Sequence, residues 1–259
     1  METIDLEILD GVATITLNRP DAGNAMNLQF GEDILAVARA CEAEANLRVV
    51  LLTAKGRLFC AGGDVGAFAA AAEPAALIGE LLRNLHPAIE ILRGLAAPIV
   101  TAVNGTAAGA GMSLALAGDL VLVAESAKFT AAYTGIALSP DGSMTHFLPR
   151  LIGLRRAQEM MITNRVVTAA EALDWGMITQ VVANDELLTV AGKLVAKLAA
   201  GPTAAFGSVK KLLHQTDECS LAEQLAAEAT EIVANAGHPD GREGIAAFAE
   251  KRKPTFRGR

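Results

Sequence analysis

The chain has 259 residues, 52% apolar and 20% charged, with a formal net charge of -7. Length and composition argue against a disordered chain and suit one large domain, or a domain with a smaller appendage. The acidic balance argues against nucleic acid or an anionic membrane as main partner, because most of the surface would repel either, and it suits solubility.

The N-terminus, METIDLEILDGVATITLNRP, alternates polar and apolar residues, so no signal peptide is expected. Ile4 to Ile8 and Val12 to Asn18 read as two strands around Asp10-Gly11, a pair suited to a tight hairpin. Leu28 to Ala45 has helical spacing, and Arg48 to Thr53 is a short apolar run of the buried-strand kind. A helix over Leu77 to Leu95, a strand over Pro98 to Asn104, a helix from about Ala110 to Ala117 and a strand over Asp119 to Ala124 continue the alternation. This order predicts an α/β fold with a largely parallel sheet.

Ser143 to Leu151 reads as helical, and beyond Gly153 helices dominate. They are expected over Leu154 to Thr163, Ala169 to Trp175, Asp185 to Ala199, Pro202 to His214, Leu221 to Ala234 and Asp240 to Lys251, with a strand only at Met177 to Val182. Residues 1–200 are read as the core and 201–259 as a helical region, rich in Ala and Leu, suited to packing on another copy of the chain or on its own subunit. No apolar run reaches about 18 residues without a charge, glycine or proline, so no membrane span is expected. Cys41, Cys60 and Cys219 are far apart and lack metal spacing, which fits a reducing cytoplasm and neither zinc nor a disulfide framework.

Two glycine-bearing segments follow strands: FCAGGD, Phe59 to Asp64, and NGTAAGAGMSLALAGD, Asn104 to Asp119. Glycines there permit positive φ and close backbone approach, so amide N–H groups can turn toward a ligand; each alone is equally a structural turn. The second leads into a helix start, where unpaired N–H groups attract negative charge. It lacks the Rossmann spacing and the P-loop Lys-Ser/Thr.

In this order, NRPDAGNAMN, FCAGGD, PIVTAVNGTAAGAGMSLALAGD, PRLIG, TAAEALDWGMITQVV and FAEKRKPTF resemble the enoyl-CoA hydratase/isomerase family, the crotonase superfamily, from about Ile4 to Phe256. The resemblance implies a crotonase-like spiral of ββα units with a helical C-terminal trimerisation region, assembling as a homotrimer or a dimer of trimers. It implies an acyl-CoA thioester as substrate, with coenzyme A as the carrier and neither a tightly bound cofactor nor a metal. By motif position, the oxyanion amides are those of Gly63 and Ala110. Such a preorganised pair stabilises an enolate oxygen by roughly 3–4 kcal/mol per donor. Both positions are expected to tolerate side-chain change better than backbone distortion.

Hydratases of the family use two glutamates, and the matching positions hold Ser113 and Tyr133. A tyrosine, with an ordinary pKa near 10, is better suited to donating a hydrogen bond than to accepting a proton. Asp141, in LSPDG, falls where ring-epoxide isomerases of phenylacetate degradation and related enoyl-CoA isomerases carry one catalytic aspartate. One carboxylate suffices to take a proton from one carbon and return it to another. Asp141 also precedes a helical stretch, where aspartate is a favoured N-cap, and both roles stand open.

His86 matches the active-site histidine of aryl-CoA dehalogenases, which carry a nucleophilic aspartate at the Asp141 position and a tryptophan at the Tyr133 position. A helical histidine is equally a packing residue. The resemblance further places Ala25, Ala61 and Asp64 at the coenzyme, and assigns Phe248 and Lys251, often supplied by a neighbouring subunit, to adenine and phosphate; a solvated tail accounts for the last two as well. The family's lysine three residues beyond the first oxyanion position is Gly66 here. The expected activity is thus acyl-CoA isomerisation, with a hydratase-like or dehalogenase-like reaction, or non-catalytic acyl-CoA binding, as alternatives.

Overall fold

A computed structural model describes residues 1–258. In chain order the elements are β1 (Ile4–Leu9), β2 (Val12–Leu17), α1 (Leu28–Ala43), β3 (Val49–Ala54), α2 (Val65–Ala70), α3 (Pro74–Gly94), β4 (Ile99–Val103), β5 (Ala107–Ala108), α4 (Ala110–Leu116), β6 (Leu120–Ala124) and β7 (Lys128–Thr130). There follow α5 (Met144–Ile152), α6 (Leu154–Thr163), β8 (Val167–Thr168), α7 (Ala169–Asp174), β9 (Gln180–Val182), α8 (Leu187–Ala199), α9 (Thr203–Gln215), α10 (Leu221–Gly237) and α11 (Pro239–Ala249).

Six strands form the main sheet in the order β1-β2-β3-β4-β6-β9. Only β1 and β2 pair antiparallel, with Ile4 opposite Leu17 and Leu9 opposite Val12. Asp10 and Gly11 both take positive φ, as a tight two-residue turn matching the strand twist requires. The other pairs are parallel. All five residues of β4, IVTAV, are buried, as expected for a central parallel strand covered on both faces.

Asn27 caps α1 by accepting the Phe30 N–H at 2.9 Å. The helix then buries Phe30, Ile34, Val37, Ala38 and Cys41, one face at 3.6-residue spacing. Gly31 lets α1 lie against α3, since a Cβ there would meet Leu81 Cδ1 at 2.8 Å. Buried Asp33 pins the N-terminus to α1, accepting from the Thr3 N–H and hydroxyl at 2.8 Å each, the Glu2 N–H at 2.9 Å and Gln29 at 3.0 Å.

The sequence reading holds for the α/β class and the main elements, with three differences. A second sheet, β5-β7-β8, was not expected; its strands have two or three residues, too few to show a period. The six-residue α2 was not expected either. At the C-terminal end, α11 stops at Ala249 and Lys251 takes φ +56°, so the helix does not reach Lys251. Among the described residues no helix is long and apolar enough to cross a membrane.

Candidate active site

Strands β3 and β4 each run into one of the two glycine segments, and the segments lie side by side. The Phe59 N–H donates to the Thr106 carbonyl at 3.1 Å and the Ala108 N–H to the Cys60 carbonyl at 2.9 Å. On the far side, the Met26 N–H donates to the Gly62 carbonyl at 2.8 Å and the Asp64 N–H to the Met26 carbonyl at 2.9 Å. Cys60 is sealed inside, its thiol pushed up to about 12 by burial, so it packs and does not react.

Gly62 (φ +98°) and Gly109 (φ +51°) each precede a proposed oxyanion residue. A Cβ on Gly62 would lie 2.9 Å from the Ala108 carbonyl oxygen, so both the backbone conformation and the approach require glycine. No protein acceptor takes the N–H of Gly63 or of Ala110, among the described residues. Both residues line one cavity of about 370 Å³. Ala110 opens α4, where an unpaired N–H is normal. A Cβ on Gly63 would stand 2.7 Å from the Phe68 ring and meet no backbone atom, so a side chain there must push that ring aside.

Asp141 lines the same cavity and is, among the described residues, its only charged wall residue. Its Oδ1 accepts a hydrogen bond from the Tyr133 hydroxyl at 2.5 Å. Its main-chain carbonyl accepts from the Ser113 hydroxyl at 2.8 Å and from the Met144 N–H at 3.2 Å. The residues at both hydratase acid positions therefore hold Asp141. Burial, with the Asp141 charge adding to it, pushes the Tyr133 hydroxyl far above its ordinary range, so it remains a donor. Asp141 is not a helix cap: the N-cap of α5 is Ser143, which makes no side-chain capping bond. Gly142 and Ser143 both take positive φ, and this turn swings the aspartate toward Tyr133.

The other sequence candidates are placed unevenly. His86 is exposed on α3 and does not line the cavity, so an Asp141–His86 pair is not formed. Ala61 lines the cavity. Ala25 is buried, and its carbonyl accepts from Arg19, whose guanidinium also pairs with Asp64 at 3.2 Å. Asp64 additionally caps α2 through the Ala67 N–H at 3.1 Å, so it is committed to structure. Arg19 was missed by the sequence reading, although NRPDAGNAMN contains it. Phe248 is 88% exposed, Lys251 is exposed, and neither lines the cavity of its own chain. His238 caps α11 through the Asp240 N–H. Among the described residues no group of three or more His, Cys, Asp or Glu is placed to share a metal ion.

Known proteins carry the same framework. The family profile for enoyl-CoA hydratase/isomerase matches residues 7–259. A "probable enoyl-CoA hydratase" of Rhodobacter capsulatus is 40% identical, covering 99% of this chain and 98% of that protein. The 1,2-epoxyphenylacetyl-CoA isomerase of Escherichia coli is 37% identical over the full length of both chains. The crystal structure of an enoyl-CoA hydratase from Bacillus anthracis superimposes with a TM-score of 0.93 at 31% identity, covering 99% of this chain and 100% of that one. With the family profile matching from residue 7 to the end of the chain and relatives alike over nearly their whole length, the chain belongs to the enoyl-CoA hydratase/isomerase family of the crotonase superfamily.

Proposed function

We propose that the protein is an acyl-CoA isomerase, acting on an enoyl-CoA or ring-epoxide thioester, with Asp141 as its proton shuttle. In the enoyl case the thioester oxygen sits at the Gly63 and Ala110 amides, and Asp141 takes a proton from one carbon. The electron pair left behind delocalises onto that oxygen as an enolate, the double bond moves, and protonated Asp141 returns the proton to the second carbon. Tyr133 holds Oδ1, which leaves Oδ2 for the substrate.

The convergence of Ser113 and Tyr133 on Asp141 carries this reading. Hydration asks for two carboxylates at those positions, which hold Ser113 and Tyr133, and among the described residues the cavity has one carboxylate, Asp141. Hydrolytic dehalogenation asks for a histidine, and His86 stands outside. Coenzyme A enters as the substrate's carrier, with no resident cofactor in the reaction. The exposed Phe248 and Lys251 suit a coenzyme bound at a neighbouring subunit of a homotrimer or a dimer of trimers.

The test is turnover of a 3-enoyl-CoA and of a ring-epoxide phenylacetyl thioester by wild type and Asp141→Asn. Wild type is expected to isomerise one of them, and the variant to lose about 10²–10⁴-fold in kcat. Undiminished isomerisation by the variant overturns the assignment. Hydration of a 2-enoyl-CoA, or chloride release from a haloaryl-CoA, in place of isomerisation would do the same.

A further inference from the structure

The cavity beside the proposed oxyanion amides has mainly apolar walls, with Tyr133, Ser139 and Asp141 as its polar side chains among the described residues. Phe68 from α2, Ile78, Leu82 and Leu85 from α3, and Ile136 and Leu138 from the segment before Asp141 are all apolar. Among the described residues the lining contains no lysine, arginine or histidine, and its single charge is the carboxylate of Asp141. The nearby cation, Arg19, is occupied by Asp64 and the Ala25 carbonyl.

Resting on the isomerase reading above, we infer that this chamber selects uncharged, apolar acyl groups, and that Phe68 sets its inner limit. An acyl chain ending in a carboxylate would bury its charge without a cation and near a second carboxylate, a doubly unfavourable placement. A neutral alkyl or aryl group loses nothing polar and gains about fourfold in affinity for each methylene fully buried. Selectivity of this sort comes from what the walls refuse as much as from what they attract.

Phe68 is the specificity-determining side chain because of where its ring lies. Two of its ring atoms come within 2.9 Å of the point where a Cβ on Gly63 would stand, so the ring backs the oxyanion residue itself. It sits on a six-residue helix with no buried residue, held by the Asp64 cap. Truncating it opens space next to Gly63 without removing a side chain from the buried core. Ile78, half-buried and outside that core, offers a second position on the same wall.

Equilibrium binding of saturated acyl-CoAs tests this without turnover. Hexanoyl-CoA and adipoyl-CoA have the same chain length and differ in a terminal carboxylate; octanoyl-CoA and phenylacetyl-CoA report size. Wild type is expected to bind hexanoyl-CoA at least tenfold tighter than adipoyl-CoA. Ile78→Arg should cut that ratio at least fivefold by supplying the missing cation, and Phe68→Ala should shift preference toward octanoyl-CoA over hexanoyl-CoA. Equal wild-type affinity for the neutral and charged thioesters overturns the inference, as does an unchanged ratio in Ile78→Arg. Loss of the isomerase reading looks different: Asp141→Asn would keep full isomerisation while the binding preferences stood.

Discussion

Asp141 faces the hydroxyl of Tyr133, one of the two positions, with Ser113, that match the glutamates of hydratases. The Tyr133 O–H donates to one carboxylate oxygen and, kept protonated by burial, cannot take the substrate's proton itself. Tyr133→Phe is therefore expected to lower kcat about tenfold to hundredfold with KM little changed, since it frees the orientation of Asp141 and leaves the amides in place. Steady-state kinetics on the two variants, Tyr133→Phe and Ser113→Ala, would show whether both holders matter. The glycines sort differently. Gly62→Ala puts a Cβ against a backbone carbonyl at φ +98°, and should cost about 1–3 kcal/mol of stability with loss of activity. Gly63→Ala meets only the end of the Phe68 ring and should fold normally, as thermal melts would show. Asp141 and the glycine positions were legible in the sequence because their neighbours form recognisable strings. The turning of Ser113 and Tyr133 onto Asp141 was not, because it depends on positive φ at Gly142 and Ser143, and a serine at positive φ has no sequence signature.

At the scale of elements, periodic segments such as α1 and apolar runs such as β4 were readable from their spacing, whereas β5, β7, β8 and α2 were too short to show any. Two of these short pieces matter to function: β5 positions the turn before Ala110, and α2 carries Phe68. The join of the N-terminus to α1 gives a pH prediction. Burial pushes the Asp33 carboxyl up, but hydrogen bonds from Thr3, Gln29 and Glu2 outweigh it and hold the pKa below the usual carboxylate range. A depressed folded-state value means the stabilisation is fully present above the unfolded value, about pH 4, and is lost as pH falls through the folded one. Asp33→Asn should therefore lower the melting temperature at pH 7 and narrow its gap from wild type below pH 4. Removing these charge-assisted bonds should cost about 2–3 kcal/mol, which denaturant titration measures.

At the scale of the molecule, α9 to α11 leave a broad apolar surface uncovered in the single chain. Leu213, Leu225, Ile232, Val233 and Phe248 are all more than half exposed. Exposed apolar side chains suit an interface, and for residues 201–259 composition left open packing on another copy or on the same subunit. Light scattering is expected to give the mass of three or six chains, and Ile232→Glu with Val233→Lys to give monomers; a monomeric wild type would contradict this. If a neighbour supplies Phe248 and Lys251 to the coenzyme, the same dissociation should raise KM for the thioester. The proposed reaction turns on one carboxylate, and deuterium uptake reads that carboxylate directly. Incubated in deuterated water with a 3-enoyl-CoA, the wild-type protein should form the 2-enoyl-CoA with deuterium at the γ carbon, where Asp141, once exchanged with solvent, delivers its proton, and Asp141→Asn, folded as judged by circular dichroism, should do so at least a hundredfold more slowly. Exchange at the wild-type rate in that variant would contradict the account.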